Sequence, residues 1–390
     1  MTFKGIAMTP QLNRHPWMTD ELEMFRQQVR RFAEARMMPQ AEKWRSQGFI
    51  DRQIWRELGE LGMMLPEIPE QYGGSGVSLA YQLVVVDELA RAEMPMKHSV
   101  HSIVAHYLLT YGTEAQRQRW LPKLANGEWL TAIAMTEPGC GSDLKTLRTH
   151  ALRQGDHYVL NGSKTFITNG STAQMIVVAC KTDPSLGAKG VSLLAVEVDN
   201  PPPGFRVGRL LDKMGQKSAD TCELFFDDVK VPVENLIGGV EGQGFAQMMS
   251  ELPWERLIVA VAAAAVIERA VEQTVDYTRQ RKAFGQSIFD FQNTRFKLAE
   301  CASIAHIVRS FVNDCTQRLL DGTLDPEASY MAKWWCSEQQ CKVLDDCLQC
   351  YGGYGYMNEY PIARMYADAR IQRIYGGTNE LMKELIARKL

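Results

Sequence analysis

The chain has 390 residues, with 43 lysines and arginines against 46 aspartates and glutamates, so its formal net charge at pH 7 is −3. This balance argues against a nucleic-acid-binding protein, which usually has a basic surface. A content of 45% hydrophobic and 23% charged residues is typical of globular proteins and excludes disordered and collagen-like chains. At roughly 150 residues per domain, the length predicts two or three domains.

The first third has the apolar spacing of helices. Leu22, Phe25 and Val29 recur every three or four residues, which predicts a helix over 20–38 that Thr19 caps and Pro39 ends. Further helices are predicted over 51–61, 79–92, 99–111 and 114–124.

The middle of the chain alternates with a period of two, which predicts strands. Asn161 and Gly162 supply the positive φ angles of a tight turn, so we expect a hairpin between strands 157–160 and 164–168. Further strands are predicted over 175–180, 191–198, 222–226 and 229–233.

The last third is again helical. Patterns over 244–281 (interrupted by Pro253), 292–320, 326–350 and 362–374 predict four helices. Asp325 is placed to cap the third of them, and Thr378 is placed to cap a last one. The order is therefore α, β, α, and we predict an N-terminal α-helical domain over 1–130, a middle β domain over 131–238 and a C-terminal α-helical domain over 239–390.

The N-terminal residues and the apolar runs bear on the compartment, and the cysteines and histidines bear on disulfides and metal binding. The first residues lack a signal or transit pattern and the longest apolar run, 257–267, is about half of a membrane span, which predicts a cytoplasmic and bacterial protein. Nine scattered cysteines argue against a disulfide framework. The Cys347-x-x-Cys350 pair lacks the partners of a zinc site, and His98 and His101 are interpreted as pocket-lining or solvated residues, so no metal is predicted.

Four glycine-containing segments could approach a ligand closely. In chain order, the first could bring its backbone close to a ligand, the second ends a helix with cations, the third could contact a flat ligand, and the fourth could bind a phosphate at the start of a helix. Each could also be an ordinary connection. The segments span residues 135–143, 279–285, 351–356 and 375–380.

Glu255 is the carboxylate that stands out, because it directly precedes a long apolar run. Burial would raise its pKa and suit it to general-base catalysis. The alternative is a structural ion pair with Arg256 or another partner.

Together, the segments resemble the signatures of the acyl-CoA dehydrogenase family over almost the whole chain. The matching stretches are Ala134-Met135-Thr136-Glu137-Pro138-Gly139-Cys140-Gly141-Ser142-Asp143, Gln280-Arg281-Lys282-Ala283-Phe284-Gly285, Phe291-Gln292, Gln349-Cys350-Tyr351-Gly352-Gly353-Tyr354-Gly355-Tyr356 and Ile374-Tyr375-Gly376-Gly377-Thr378-Asn379-Glu380. The resemblance implies an α+β fold with a middle β-barrel or sandwich and a C-terminal four-helix bundle. It also implies FAD, a homotetramer, α,β-dehydrogenation of an acyl-CoA, and an electron-transfer flavoprotein as electron acceptor.

The resemblance also assigns roles to individual residues. The FAD contacts it implies are Met135, Thr136, Gly141, Ser142, Phe166, Thr168, Arg281, Phe284, Gln292, Gln349, Gly352, Gly353, Thr378 and Glu380. The substrate contacts it implies are Ser142, Arg256, Tyr375, Gly376 and Gly377.

The position of the base sets this chain apart within the family. Most members have a catalytic Glu directly after the Tyr that matches Tyr375, whereas this chain has Gly376. In the long-chain and isovaleryl types the Glu lies on the long helix, at the position that matches Glu255. The resemblance therefore identifies Glu255 as the base and is closest to the long-chain type.

Other departures bear on the substrate. Phe166 replaces a Trp of many relatives, Ile133 replaces a Tyr, and Ala246 replaces a Tyr of the long-chain type. Met94-Pro95-Met96 opens the helix that forms the floor of the acyl pocket in the family. We expect a medium-chain, long-chain or methyl-branched acyl-CoA, including terpenoid thioesters such as citronellyl-CoA. An acyl-CoA oxidase or flavin monooxygenase on the same fold, and a non-catalytic protein that retains FAD, are the alternatives.

Overall fold

The computed structural model describes residues 15–94 and 97–390. Contacts divide the chain into two compact units. We call them the sheet unit, which contains Glu34–Gln82 and Met94–Glu255, and the bundle unit, which contains 15–33, Leu83–Glu93 and Arg256–Leu390. Pro95 and Met96, which the acyl-pocket expectation concerns, lie outside the described residues.

The sheet unit has a seven-stranded sheet with helices before it in the sequence. Its strands follow the order β1-β4-β2-β3-β7-β6, and β5 pairs with β4. They are β1 Thr131–Ala134, β2 His150–Gln154, β3 His157–Thr168, β4 Met175–Lys181, β5 Val191–Glu197, β6 Phe205–Leu210 and β7 Thr221–Pro232. The helices that belong wholly to this unit are α2 Ala41–Gln47, α3 Arg52–Glu60, α5 Lys97–Tyr111 and α6 Glu114–Ala125.

The bundle unit is built from long helices. Helix α4 and the long helix α7 each run from the sheet unit into the bundle unit. The helices are α1 Asp20–Phe32, α4 Leu79–Arg91, α7 Gly244–Gln280, α8 Gln292–Leu320, α9 Pro326–Cys350, α10 Pro361–Ala369 and α11 Asn379–Ala387, with a short hairpin of β8 Lys282–Ala283 and β9 Gln286–Ser287. The predicted fold class, helical at both ends with a β middle, is confirmed.

The predicted hairpin at Asn161 and Gly162 is wrong. Strand β3 runs through both residues, and its pairing with β7 shifts register between Leu160 and Gly162. The Asn161 amide pairs with Asp228 of the neighbouring strand through two hydrogen bonds of 2.9 Å, and the extra residue of the bulge at this point lies in β7, opposite Asn161. The true hairpin joins β2 to β3 through Gly155, whose φ is +63°.

Several element boundaries also differ from the prediction. The segments 222–226 and 229–233 form one strand, β7, and α7 continues through Pro253, which removes only one helical N–H. The first helix ends at Phe32 and continues as a π-helical segment, Ala33–Met37. The predicted caps Thr19, Asp325 and Thr378 are confirmed, since each side chain accepts a hydrogen bond from the backbone N–H three residues on.

The predictions for the cysteines and for two histidines can be compared with their surroundings in the fold. All nine cysteines are free thiols. His98 and His101 are buried and bond to the carbonyls of Met64 and Leu124, so the solvated alternative of the prediction is wrong. Within residues 15–94 and 97–390, no helix has the length and apolar character needed to cross a bilayer.

Candidate functional site

The loop that follows β1 is a tight turn held by its own backbone. Glu137 and Cys140 exchange two backbone hydrogen bonds of 2.8 and 3.1 Å, and the Cys140 thiol donates to the carbonyl of Asp143. Gly141 and Ser142 are exposed at its tip, and a Cβ added at Gly141 would meet nothing within 4 Å. The loop can therefore approach a ligand closely.

A buried ion pair fastens this loop to strand β3. The Lys164 ammonium lies 2.9 Å from the Glu137 carboxylate and donates to the carbonyl of Met135 at 3.0 Å. Glu137 also accepts the backbone N–H groups of Arg148 and Thr149. Burial opposes ionisation of Glu137, but the charge of Lys164 and these donors hold the pKa of Glu137 below its usual value.

Phe166 projects from β3 beside the fastened loop. Its ring is 67% exposed and its φ is +60°, at the point where β3 and β7 shift register. The backbone N–H of the preceding residue, Thr165, donates to the carbonyl of Thr136 in the loop at 3.0 Å. A strained, exposed aromatic residue is a feature of ligand sites. The structure thus brings Met135, Thr136 and Phe166 together, with Thr168 two residues farther along β3.

Glu255 lies in α7 and is half-buried. The hydroxyl of Tyr107 in α5 donates to its Oε1 at 3.0 Å. Tyr107 itself is fully buried, so the donor is shielded from water. Glu255 therefore has an oriented carboxylate, as a general base requires.

The segment around Gly376 and Gly377 is a turn held by two buried cations. Arg256 Nε donates to the carbonyl of Gly376 at 3.2 Å, and Lys333 Nζ donates to that of Gly377 at 2.6 Å. Both glycines have positive φ, +65° and +92°. A Cβ at Gly376 would meet nothing within 4 Å, whereas one at Gly377 would come within 2.8 Å of Met382. Tyr375, just before the turn, is half-buried.

A separate cavity of about 460 Å³ lies within the bundle unit. It is lined by four of the predicted FAD-binding residues, Arg281, Gln349, Gly352 and Gly353. Its wall includes Tyr351, which stacks on Tyr277 with ring centres 4.0 Å apart. Arginine, amide and glycine backbone groups suit a phosphate-containing ligand.

The other four predicted FAD contacts of the bundle unit lie outside this cavity lining. Phe284 is at the tip of the β8–β9 hairpin, 94% exposed with a φ of +52°, and Gln292 is exposed at the start of α8. Thr378 caps α11, and Glu380 is exposed in its first turn.

Sequence reasoning missed three residues that support these surfaces, Tyr107, Lys164 and Lys333. Two of them had a signal in the sequence. Lys164 has the parity of the inward residues Tyr158 and Leu160 along β3, and Lys333 lies among the apolar residues of α9. A lysine at an inward position needs a buried partner. For Tyr107, no pattern along the chain pointed to Glu255, because the two residues are far apart in sequence.

FAD fits these surfaces in its chemistry. The exposed Phe166 ring beside the loop backbone suits a flat ring system, and the cavity around Arg281 suits a pyrophosphate. In the described residues no group of three or more His, Cys, Asp or Glu side chains is arranged to hold a metal ion.

Comparison with known proteins agrees along the whole chain. The models of the N-terminal, middle and C-terminal domains of acyl-CoA dehydrogenases match residues 19–128, 132–229 and 242–390. The rat mitochondrial long-chain specific acyl-CoA dehydrogenase is 44% identical over 376 residues, covering 95% of this chain and 87% of the relative. The mitochondrial isovaleryl-CoA dehydrogenase of Pongo abelii is 34% identical, covering 95% and 89%.

A solved structure shows the same fold. The crystal structure of the acyl-CoA dehydrogenase from Geobacillus kaustophilus superposes with a TM-score of 0.94 and 45% identity, covering 96% of this chain and 99% of that one. The chain therefore belongs to the acyl-CoA dehydrogenase family, whose members are FAD-dependent oxidoreductases that act on acyl-CoA.

Proposed function

We propose that this protein removes two hydrogens across Cα–Cβ of a medium-chain, long-chain or methyl-branched acyl-CoA and forms the trans-2-enoyl-CoA, with Glu255 as the base. The observation that carries the proposal is the Glu255 carboxylate, held by Tyr107 at 3.0 Å on a chain that has glycine at position 376. Glu255 on α7 would take the role of the base that most family members have at the position matching Gly376.

The chain's own residues would position the reactants and take the proton. Glu255 takes the α-proton, and its half-buried position favours transfer from carbon by limiting competition from water. Arg256 and Lys333 hold the Gly376–Gly377 turn, whose backbone is suited to contact the thioester. When bound, FAD supplies the redox chemistry by accepting the β-hydride.

The same clusters would hold the cofactor. Met135, Thr136, Phe166 and Thr168 would contact the ring system, and Arg281 and Gln349 would contact the pyrophosphate side. Each role rests on the local chemistry of its own cluster, an exposed aromatic ring in the sheet unit and a guanidinium-lined cavity in the bundle unit.

The proposed substrate class has two supports. The first is the open space around Gly376, where even a Cβ would meet no atom within 4 Å and which a branched acyl chain could use. The second is similarity to one dehydrogenase named for long chains and one named for a methyl-branched substrate. We further propose a homotetramer that passes its electrons to an electron-transfer flavoprotein in a bacterial cytoplasm.

The decisive experiment mixes the FAD-loaded protein anaerobically with straight, branched and terpenoid acyl-CoAs and follows bleaching of the flavin absorbance. Glu255→Gln should lower the bleaching rate at least a thousandfold, since the proton acceptor is lost. Glu251→Gln, which removes a buried carboxylate one turn earlier in the same helix, is the matched control and should stay within a fewfold of wild type.

Each outcome bears on a different part of the proposal. Bleaching that survives in Glu255→Gln would overturn Glu255 as the base. Absence of bleaching by every thioester in the wild-type protein would favour the non-catalytic alternative. Rapid peroxide formation in air after bleaching would favour an oxidase over an electron-transfer flavoprotein as acceptor.

A further inference from the structure

Two tyrosines of α5 bind two glutamates of α7 within the sheet unit. Tyr107 donates to Glu255, and Tyr111, four residues on, hydrogen-bonds to Glu251, four residues back. The rings of Tyr107 and Tyr111 lie 6.2 Å apart, so the two hydrogen bonds are neighbours that join the same two helices. A third contact, the stack of His106 on Trp254 with ring centres 5.0 Å apart, fixes the same helix pair.

The hydrogen bond of Tyr107 differs from that of Tyr111 in burial and in partner. Tyr107 is fully buried, whereas Tyr111 is half-buried. Burial and the charge of Glu255 raise the pKa of the Tyr107 phenol well above its ordinary value. Tyr107 therefore keeps its proton, and donates it in a hydrogen bond, near neutral pH.

Several titratable groups lie near the hydrogen bond between Tyr107 and Glu255. Tyr107 interacts electrostatically with Glu255 and Glu251 of α7 and with Tyr111 of α5, and Arg256 follows Glu255 in the sequence. A hydrogen bond donated by Tyr107 to the Glu255 carboxylate favours the charged form of Glu255. Tyr107 is the group in this set whose contact with Glu255 is a 3.0 Å hydrogen bond, so it also fixes orientation.

We propose that Tyr107 is a positioning residue for the reaction: its hydroxyl holds the Glu255 carboxylate in the orientation that takes the α-proton and favours its charged form. This inference rests on the proposed function of Glu255. The phenol does not touch the reacting carbon; it acts through the carboxylate.

The test compares Tyr107→Phe, Tyr111→Phe and Glu255→Gln in the FAD-loaded protein. Two readouts are followed against pH: the single-turnover rate of flavin bleaching by a reactive acyl-CoA, and the long-wavelength absorbance with a 3-oxoacyl-CoA. The second ligand can lose an α-proton but has no β-hydride to give, so its absorbance reports proton removal alone.

In Tyr107→Phe we expect the bleaching rate to fall about tenfold and the acidic limb of both pH profiles to move up by about one pH unit, with KM little changed. Tyr111→Phe also removes a hydroxyl between the same helices, so it controls for loosened packing and should leave the acidic limb in place. 3-Fluorotyrosine at position 107, a stronger donor of nearly the same size, should move the limb the opposite way, to lower pH, and tests the inference even if Tyr107→Phe does not fold.

The inference is overturned if Tyr107→Phe keeps the wild-type bleaching rate and the wild-type acidic limb of the pH profile. It is also overturned if Tyr111→Phe shifts that acidic limb equally. Either result can occur with Glu255→Gln inactive, which would leave the proposed function standing. Activity in Glu255→Gln would instead overturn the base assignment itself, so the two failures are distinct.

Discussion

Lys164 and Glu137 form an almost completely buried ion pair, with Nζ and Oε1 2.9 Å apart. Their side chains are 0% and 6% exposed. Desolvation makes such a pair expensive unless additional hydrogen bonds complete it, and here the Met135 carbonyl and two backbone N–H groups do so. The pair joins a strand to the loop that approaches the proposed flavin, so its charges serve to fix that loop.

Lys164→Met should destabilise the protein by roughly 3 kcal/mol, because it leaves Glu137 charged and buried without its cation. It should also weaken FAD binding, since the Met135 carbonyl loses its donor and the loop loosens. Chemical denaturation and FAD titration of the stripped protein measure the two effects. Lys145→Met removes an exposed lysine from the segment after the same loop and should change neither; equal losses in both variants would contradict this role of the buried pair.

Phe166 offers a way to separate backbone strain from ligand contact. A non-glycine residue at φ +60° costs about 1–2 kcal/mol, and the 67% exposed ring gains little from burial. Phe166→Gly removes the strain but adds about 0.5–1 kcal/mol of chain entropy, so the stability of the FAD-free protein should change by no more than about 1 kcal/mol.

FAD affinity should nevertheless fall in Phe166→Gly by about tenfold or more, because an aromatic stacking surface is lost. Phe166→Leu is the matched variant, since it keeps the strain and the apolar character but loses the flat ring. Fluorescence titration with FAD should show a smaller loss for Leu than for Gly. Unchanged FAD affinity in both variants would remove Phe166 from the cofactor site.

Lys333 gives a pH-dependent test of the Gly376–Gly377 turn. Burial, with the nearby charge of Arg256, lowers the pKa of Lys333 from 10.5 to about 8. Between these values the unfolded chain binds more protons than the folded protein, so the contribution of Lys333 to stability rises with pH from about 8 to 10.5. Lys333→Met lacks this contribution and loses the donor to two acceptors, the Gly377 carbonyl and Asn379.

We therefore expect Lys333→Met to be less stable than wild type at pH 8 and the gap to widen as the pH rises toward 10.5. Guanidinium unfolding at pH 8, 9 and 10 measures the gap, with Lys342→Met on the same helix as the control. A stability difference that does not change with pH would show that the pKa of Lys333 is not lowered in the folded protein.

The sequence was most informative where local chemistry decides the structure. Caps such as Thr19 and Asp325 act within one helical turn, and apolar periodicity set the long helices α7, α8 and α9. The prediction at Asn161-Gly162 was wrong because the turn preference of this pair is local. The pairing of β3 along its length with β7 is a tertiary effect that keeps the pair inside the strand, opposite a bulge in β7.

The candidate site divides in the same way. Glycine-rich motifs and Glu255 were visible in the sequence because their residue types are unusual in their surroundings. Their supports were not, because Tyr107 lies 148 residues from Glu255 and Lys333 lies 44 from Gly377. Such pairs form only when separate helices pack, and a single sequence contains no signal of which positions will meet.

Glu67 and His106 form a buried polar pair that predicts how stability depends on pH. His106 Nε2 lies 3.7 Å from Glu67 Oε1, and neither carboxyl oxygen of Glu67 has a hydrogen-bond partner on another residue among those described. Burial raises the pKa of Glu67 from 4.5 to about 8 and lowers the pKa of His106 from 6.5 to about 4. Both groups are therefore neutral near pH 7.

The two shifts have opposite effects on stability. Between pH 4.5 and 8 the folded protein keeps a proton on Glu67 that the unfolded chain has lost, so the contribution of Glu67 falls as the pH rises. Between pH 4 and 6.5 the unfolded chain protonates His106 while the folded protein does not, so the contribution of His106 rises with pH. The effects oppose each other up to pH 6.5, and above it Glu67 acts alone.

Glu67→Gln keeps the shape of the side chain but cannot titrate. We expect wild type to lose stability relative to Glu67→Gln by about 1.4 kcal/mol per pH unit between pH 4.5 and 8, because both proteins contain His106 and its contribution cancels. His106→Gln should lose stability over the same range relative to the double variant, and its own stability should fall from about pH 4.5 upward because the opposing contribution of His106 is absent. Urea unfolding of the four proteins from pH 4.5 to 8.5 measures these differences. A wild-type curve parallel to that of Glu67→Gln above pH 6.5 would show that Glu67 is ionised in the folded protein and has a charged partner.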